Sequence, residues 1–224
     1  MTRGQLPLPF AHREAFGRDD FLVADENRAA LGWLDRWPDW PGPAVVVHGP
    51  EACGKSHLGA VYRAKTGAVS VDAEALADPA GFFEAGLDGL LDDLSDVLAS
   101  QGENSVLHLY NAARDAGRHL LILSRRAPAA LDLRLADLAS RLKAAPSAEI
   151  LSPGDDLLAA VLVKQFADRQ LTPEANLIPF LLKRMDRSFE AAKRTVDRLD
   201  RASLQRRRAL TIRLASEVLQ DDDA

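Results

Sequence analysis

Gly49, Gly54, Lys55 and Ser56 are spaced as a phosphate-holding loop requires. The stretch Gly49-Pro50-Glu51-Ala52-Cys53-Gly54-Lys55-Ser56 meets the pattern G-x-x-x-x-G-K-[ST] at every fixed position. Glycine at both ends lets the backbone turn tightly, so that successive N–H groups can aim at phosphate oxygens. The pattern assigns Lys55 to the β- and γ-phosphates and the Ser56 hydroxyl to one Mg2+ position. Pro50, Glu51, Ala52, Cys53 and the following His57 complete the candidate cofactor-binding set. Glu51 is a carboxylate inside an anion-binding loop, so it is expected to face solvent. Cys53 is the only cysteine and reads as small filler rather than a redox site. The plainer alternative is a glycine turn with a chance lysine.

Three other places carry related chemistry. Leu87-Asp88-Gly89-Leu90-Leu91-Asp92-Asp93 reads as a strand ending in two carboxylates. One of them, Asp92, would hold the Mg2+ shell and the next, Asp93, could orient water. Asp88 and Gly89 interrupt that strand, and an acidic turn is the alternative. Ser124 closes the apolar run 119–123, where a polar tip could sense a γ-phosphate. Phe21, Leu22 and Val23 lie shortly before the loop and could pack on a nucleotide base, or be ordinary core.

These residues need elements to position them. Residues 45–47 are a β-branched apolar run that reads as a buried strand, and 56–65 as the helix after the loop. The helix N-terminus offers unpaired donors and a dipole that favour an anion. A helix over 27–36 turns Ala30, Leu31 and Leu34 inward. Trp33, Trp37 and Trp40, grouped around Pro38 and Pro41, read as a staple of that helix to the sheet. Strands follow at 68–71, 87–91, 119–123 and 149–151. Helices are expected at 79–85 and 104–116, with Gly117 as the stop. From Pro153 the pattern is helical only: 155–169, 173–185, 188–201 and 212–219. Thr172 with Pro173, the run Asp186-Arg187-Ser188, and Thr211 are the expected caps. The expected division is a tail over 1–15, an α/β domain over 16–152 and a helical domain over 153–224.

Composition bounds the rest. The chain has 224 residues, 47% hydrophobic and 27% charged, enough for a sizeable core. A formal net charge of −5 argues against a dedicated nucleic-acid surface. A single cysteine excludes an internal disulfide and fits a reducing compartment. No apolar run suits a membrane helix and no signal peptide opens the chain, so a cytoplasmic protein without a membrane partner is expected. In the tail, Gln5-Leu6-Pro7-Leu8-Pro9-Phe10 is extended by its two prolines. It is open to two readings: a terminus folding back on its own domain, or a peptide docking in a partner's groove with Leu6, Leu8 and Phe10 as anchors.

Phosphate loop, acid pair, polar strand tip, arginine before a strand and helical lid, in that order, resemble the AAA+ plan. Several phrases resemble the DnaA family, and specifically its short Hda-type relatives, the regulatory inactivators of DnaA. Residues 137–142 (DLASRL) are similar to the box carrying that family's arginine finger, which falls on Arg141. Residues 107–111 (LHLYN) and 120–124 (LLILS) resemble its helix and sensor strand. Residues 181–187 (LLKRMDR) resemble its second sensor entry and assign Arg187 to the nucleotide; 199–203 (LDRAS) and 210–212 (LTI) resemble its closing helices. Residues 5–10 (QLPLPF) resemble the Hda motif that docks on the DNA polymerase sliding clamp, through Gln5, Leu6, Leu8, Pro9 and Phe10. The chain ends in Asp221-Asp222-Asp223 soon after the lid, which reads as the regulator rather than the initiator.

The resemblance implies a fold class: α/β, a P-loop AAA+ nucleotide-binding domain with a parallel sheet, followed by a small all-helical lid domain. It implies ADP or ATP with Mg2+, ADP in the working state, and two partners, the sliding clamp and DnaA. DNA would be reached only through them, and nucleotide-dependent self-association stays open. The expected function is negative regulation of replication initiation, with Arg141 offered in trans to ATP held by DnaA. The chain departs from DnaA at Arg125, where DnaA has an acidic residue. With the weak strand before Asp92, this leads us to expect weak or absent ATPase activity of its own. Two competitors remain: an autonomous AAA+ ATPase such as a helicase loader, and a clamp-binding adaptor whose nucleotide is structural.

Overall fold

The computed structural model describes residues 22–206 and 208–220. Phe21 and the docking motif of Gln5, Leu6, Leu8, Pro9 and Phe10 lie outside the described residues, as do Arg207 and the terminal acidic run.

Among the described residues the order opens with helix α1 (Arg28–Arg36), strand β1 (Ala44–His48) and helix α2 (Lys55–Thr66). Strand β2 (Val69–Ser70), helices α3 (Ala73–Ala77) and α4 (Pro79–Glu84), and strand β3 (Gly89–Leu91) follow. Then come α5 (Leu94–Asp115), β4 (Leu120–Ser124), α6 (Ala136–Ala144) and β5 (Ser147–Glu149). The five strands form one sheet, in the order β2-β3-β4-β1-β5, and every pairing is parallel. Parallel strands need crossovers, and these cover both faces of the sheet. Val45, Val47, Leu121 and Leu123 pack with α1 and α2 on one face. Val46, Leu120, Ile122 and Leu91 pack with α5 and α6 on the other. Burial on both faces explains why β1 and β4 read as continuous apolar runs.

Four helices follow among the described residues: α7 (Asp155–Asp168), α8 (Leu177–Leu182), α9 (Phe189–Arg206) and α10 (Ile212–Gln220). They enclose a core of their own, with Leu162, Phe166, Leu181, Val196, Leu199 and Leu214 buried together. This is the expected α/β body followed by a helical lid. Two lid caps form as local rules require. Ala191 N donates to Ser188 Oγ at 3.0 Å, and Leu214 N to Thr211 Oγ1 at 3.3 Å. Among the described residues no helix is long and apolar enough to cross a membrane.

Several boundaries differ from the sequence expectation. Strand β2 is cut to two exposed residues at the sheet edge, because Asp72 turns instead to cap α3, accepting from Ala75 N at 2.9 Å. Helix α5 starts ten residues earlier than expected, at Leu94, and breaks at Gly102 (φ 82°, ψ 169°). Strand β5 lies two residues earlier than 149–151. Ile150 N still donates to His48 O at 2.7 Å, but Leu151 N turns away to Glu26 O at 3.0 Å. Helix α8 covers six residues rather than 173–185. Glu174 N donates to Leu210 O at 3.0 Å and its Oε2 accepts from Ile212 N at 3.2 Å, so this stretch pairs with the loop before α10 and Thr172 caps nothing.

The tryptophans staple α1 to the sheet. Trp40 Nε1 donates to Trp33 O at 2.7 Å, and its ring stacks on Tyr62 with centroids 5.7 Å apart. Trp37 Nε1 donates to Asp88 Oδ2 at 3.0 Å, while Asp88 Oδ1 accepts from His119 N at 3.0 Å. Asp88, which interrupts the strand pattern in the sequence, is thus a buried anchor between α1, β3 and β4. Asp88→Ala strips a partner from two donors and should lower unfolding free energy by about 1–3 kcal/mol. Urea titration checks this, and an unchanged midpoint would show that the anchor is dispensable.

Candidate functional site

Strands β3, β4 and β1 are neighbours, so their carboxyl ends bring three loops to one edge of the sheet. In open α/β sheets this edge is where ligands bind. The loop after β1 is the glycine-rich stretch. A Cβ on Gly49 would lie 2.1 Å from Ile150 O, so no side chain fits there. Ala52 (φ 57°) and Gly54 (φ 102°) adopt left-handed backbone, a turn conformation that forms anion-holding nests of N–H groups. Helix α2 starts directly after Gly54 and adds the positive end of its dipole. Lys55 Nζ donates to Gly49 O at 2.8 Å and Pro50 O at 2.6 Å, so the loop's own carbonyls hold the ammonium. Pro50, Glu51 and Ser56 are exposed and His57 is half-buried. Cys53 is buried. Burial pushes its thiol up, against the pull of the Lys55 ammonium, so the sulfur is a neutral packing group.

The loop after β3 carries Asp92, exposed, and Asp93, half-buried. Asp93 caps α5 and its Oδ2 accepts from Arg125 Nε at 2.9 Å. Arg125 follows the strand tip Ser124, whose Oγ donates to Arg126 O at 2.7 Å and accepts from Arg126 N at 3.2 Å. Ser124 is fully buried and its hydroxyl is engaged in its own turn. Upstream, Leu22 is half-buried and Val23 exposed. The buried Asn27 holds their backbone, donating from Nδ2 to Leu22 O at 2.9 Å.

Arg141 is on α6, across the sheet from α2. Its Nε and Nη2 donate to Asp137 Oδ1 and Oδ2 at 3.0 and 3.1 Å, and its guanidinium lies 5.8 Å from the Tyr110 ring centroid. Arg187 in the lid is paired with Asp155 at 3.1 Å. The lid side chain that does meet the glycine-rich loop is Phe189, whose ring is 3.0 Å from where a Gly54 Cβ would lie. The structure therefore gathers Gly49 to Ser56, Asp93 and Arg125 into one site, and leaves Arg141 apart from it. Phe189 was not legible beforehand, because a phenylalanine at a helix start reads as core.

The residues fit a nucleotide with Mg2+. The nest, helix dipole and Lys55 supply the donors and charge that phosphates need. No group of three or more His, Cys, Asp or Glu residues gathers for a metal among the described residues. Ser56 on α2 and the exposed Asp92 after β3 are the groups that could hold Mg2+, which typically takes one or two protein oxygens besides phosphates and water.

Glu103, beside the Gly102 break, also escaped the sequence. It accepts from Arg134 N at 3.0 Å and Leu135 N at 2.6 Å, which fixes the start of the helix that carries Arg141. These two donors hold its carboxyl below the usual range. The folded value is the depressed one, so this hold is present above the ordinary glutamate range and is lost as pH falls through the lowered value. Glu103→Ala should raise amide exchange at the start of α6 at neutral pH, while Glu103→Gln, which keeps one acceptor, should raise it less.

A family model described as "Hda, lid domain" matches residues 155–219. A Haemophilus influenzae protein, described only as uncharacterised, is 29% identical over 96% of this chain and 98% of its own length. Domain III of the replication initiation protein DnaA from Thermotoga maritima is similar in structure, with a TM-score of 0.76 at 17% identity, covering 92% of this chain and 96% of that one. AMPPCP-bound DnaA from Aquifex aeolicus has a TM-score of 0.66 at 16% identity, over 81% of this chain and 64% of that one. By sequence, residues 155–219 match the Hda lid family, and by shape the whole chain has the fold of the AAA+ domain of DnaA.

Proposed function

We propose that this protein is a cytoplasmic negative regulator of replication initiation. It docks on the sliding clamp and stimulates hydrolysis of ATP held by DnaA. The observation that carries the reading is the placement of Arg141. It stands on α6, on the sheet face opposite α2, where it serves a neighbour's phosphate better than its own. The Asp137 fork and Tyr110 hold its guanidinium ready. The protein's own nucleotide, ADP in the working state, sits on residues 49–56 with Arg187 exchanging Asp155 for phosphate and Phe189 covering the loop. Its role is to set the lid against the body. Gln5, Leu6, Leu8, Pro9 and Phe10 dock on the clamp, and the clamp's repeated sites raise the local concentration of the regulator. The boundaries that serve this division of labour are 1–15, 16–152 and 153–224.

The chemistry in trans is electrostatic. As the γ-phosphoryl group of DnaA-bound ATP transfers to water, negative charge spreads over its oxygens. A guanidinium supplied from outside stabilises that charge, and in GTPase systems this is worth about 10³–10⁵ in rate. Arg141→Ala should keep clamp binding and lose most of the stimulation of DnaA-bound ATP hydrolysis on clamp-loaded DNA. A chain lacking residues 1–10 should lose stimulation through lost docking. Stimulation that survives Arg141→Ala sinks the finger assignment and leaves a clamp-binding adaptor. Vigorous ATP turnover by the protein alone points to an autonomous ATPase. The nucleotide site has a separate check. ADP at a hundredfold excess over Kd should raise unfolding free energy by about 2.7 kcal/mol, and Lys55→Ala should erase that gain.

A further inference from the structure

We propose that Arg125 keeps this site from hydrolysing its own ATP, by occupying Asp93, the carboxylate placed to take the proton of the attacking water. The proposal rests on residues 49–56 being a nucleotide site. Asp93 sits at φ 54°, a backbone region that an L residue keeps only when its surroundings hold it. Both carboxylate oxygens are held. Oδ1 accepts from Ser95 N at 3.2 Å and, at the long limit, from Asp96 N at 3.4 Å. Oδ2 accepts from Arg125 Nε and Nη2, each at 2.9 Å. A carboxylate has about four lone-pair sites, and this chain fills them all. The same guanidinium reaches the phosphate loop, with Nη1 3.9 Å from Glu51 Oε2. Arg125 thus lies between the end of β3 and the loop that would hold the phosphates.

Hydrolysis forms a bond from the water oxygen to the γ-phosphorus and breaks the bond from that phosphorus to the β–γ bridging oxygen. ADP leaves with the electron pair, the water proton passes to a base, and inorganic phosphate is the second product. The base needs a lone pair directed at the water. Asp93 has none free while Arg125 holds it. A positioned general base contributes about 10²–10⁴ in rate, so its occupation is enough to turn an ATPase into a nucleotide-retaining site. Arg126 has the same charge one residue on, and its exposed side chain takes no part in the hold on Asp93.

The test is single-turnover hydrolysis of prebound ATP, with fluorescent ADP affinity measured in parallel on the full chain. Arg125→Ala should raise the hydrolysis rate by about tenfold or more and keep ADP affinity. Arg126→Ala should leave the rate unchanged. Adding Asp93→Asn to Arg125→Ala should return the rate to the parent level. A readout without nucleotide accompanies these: the Arg125 Nε–H signal in NMR should be sharp and resolved in the parent and collapse in Asp93→Asn. An unchanged or lower rate in Arg125→Ala, with ADP affinity kept, overturns the proposal alone. So does a gain that survives Asp93→Asn, or an Nε–H signal indifferent to Asp93. If the intact chain binds no ADP, the nucleotide reading fails and takes the proposal with it.

Discussion

The pairing of β1 with β4 is the constraint on which the rest of the structure depends. Five residue pairs run in register from Ala44 with Leu120 to His48 with Ser124. Side chains alternate between two cores, so a one-residue slip would carry every apolar group to the wrong face. The register is therefore fixed by burial. Its last rung, Gly49 N donating to Ser124 O at 3.2 Å, is also where the chemistry begins. The phosphate loop leaves β1 on one side of that rung and Arg125 leaves β4 on the other. Strand β3, next in the sheet, delivers Asp93 to the same place. Three segments far apart in the chain meet because the strand order makes them neighbours.

The cations of this molecule are held before any ligand arrives. Lys55 rests on loop carbonyls, Arg125 on Asp93, Arg141 on Asp137 and Arg187 on Asp155. The exposed Arg187–Asp155 pair contributes about 0–1 kcal/mol. Such a pair is weak enough to open for a multiply charged phosphate and strong enough to orient a guanidinium meanwhile. Arg125 differs from the others because its partner is itself a candidate catalytic group. Under our proposal, holding Asp93 removes a function as well as positioning a charge.

The lid has its own core and touches the body through few, specific contacts. Phe189 meets Gly54 of the phosphate loop. Glu26 ties the segment before α1 to the start of the lid, its Oε1 accepting from Gly154 N at 3.1 Å. A lid with its own core and a few anchors can respond to what the loop holds without losing its shape.

What the sequence determined by itself is what acts over a few residues. The glycine-rich loop, the strand before it and helix after it, the apolar face of α1, the Thr211 cap and the cap run ending at Ser188 were all legible. Each depends on backbone freedom, on period or on a side chain reaching three residues along. The resemblance of the lid phrases also held over residues 155–219. Only the tertiary structure decided the rest. Strand β5 slid to Ser147–Glu149 because its partner β1 set the ladder. Helix α8 shortened because Glu174 paired with a loop 36 and 38 residues on, at Leu210 and Ile212. Asp88 read as a strand breaker and proved an anchor, since its donors come from Trp37, 51 positions away, and His119, 31 away. Arg125 and Asp93 are 32 positions apart. Their meeting depends on β3 and β4 being adjacent, which local periodicity does not encode.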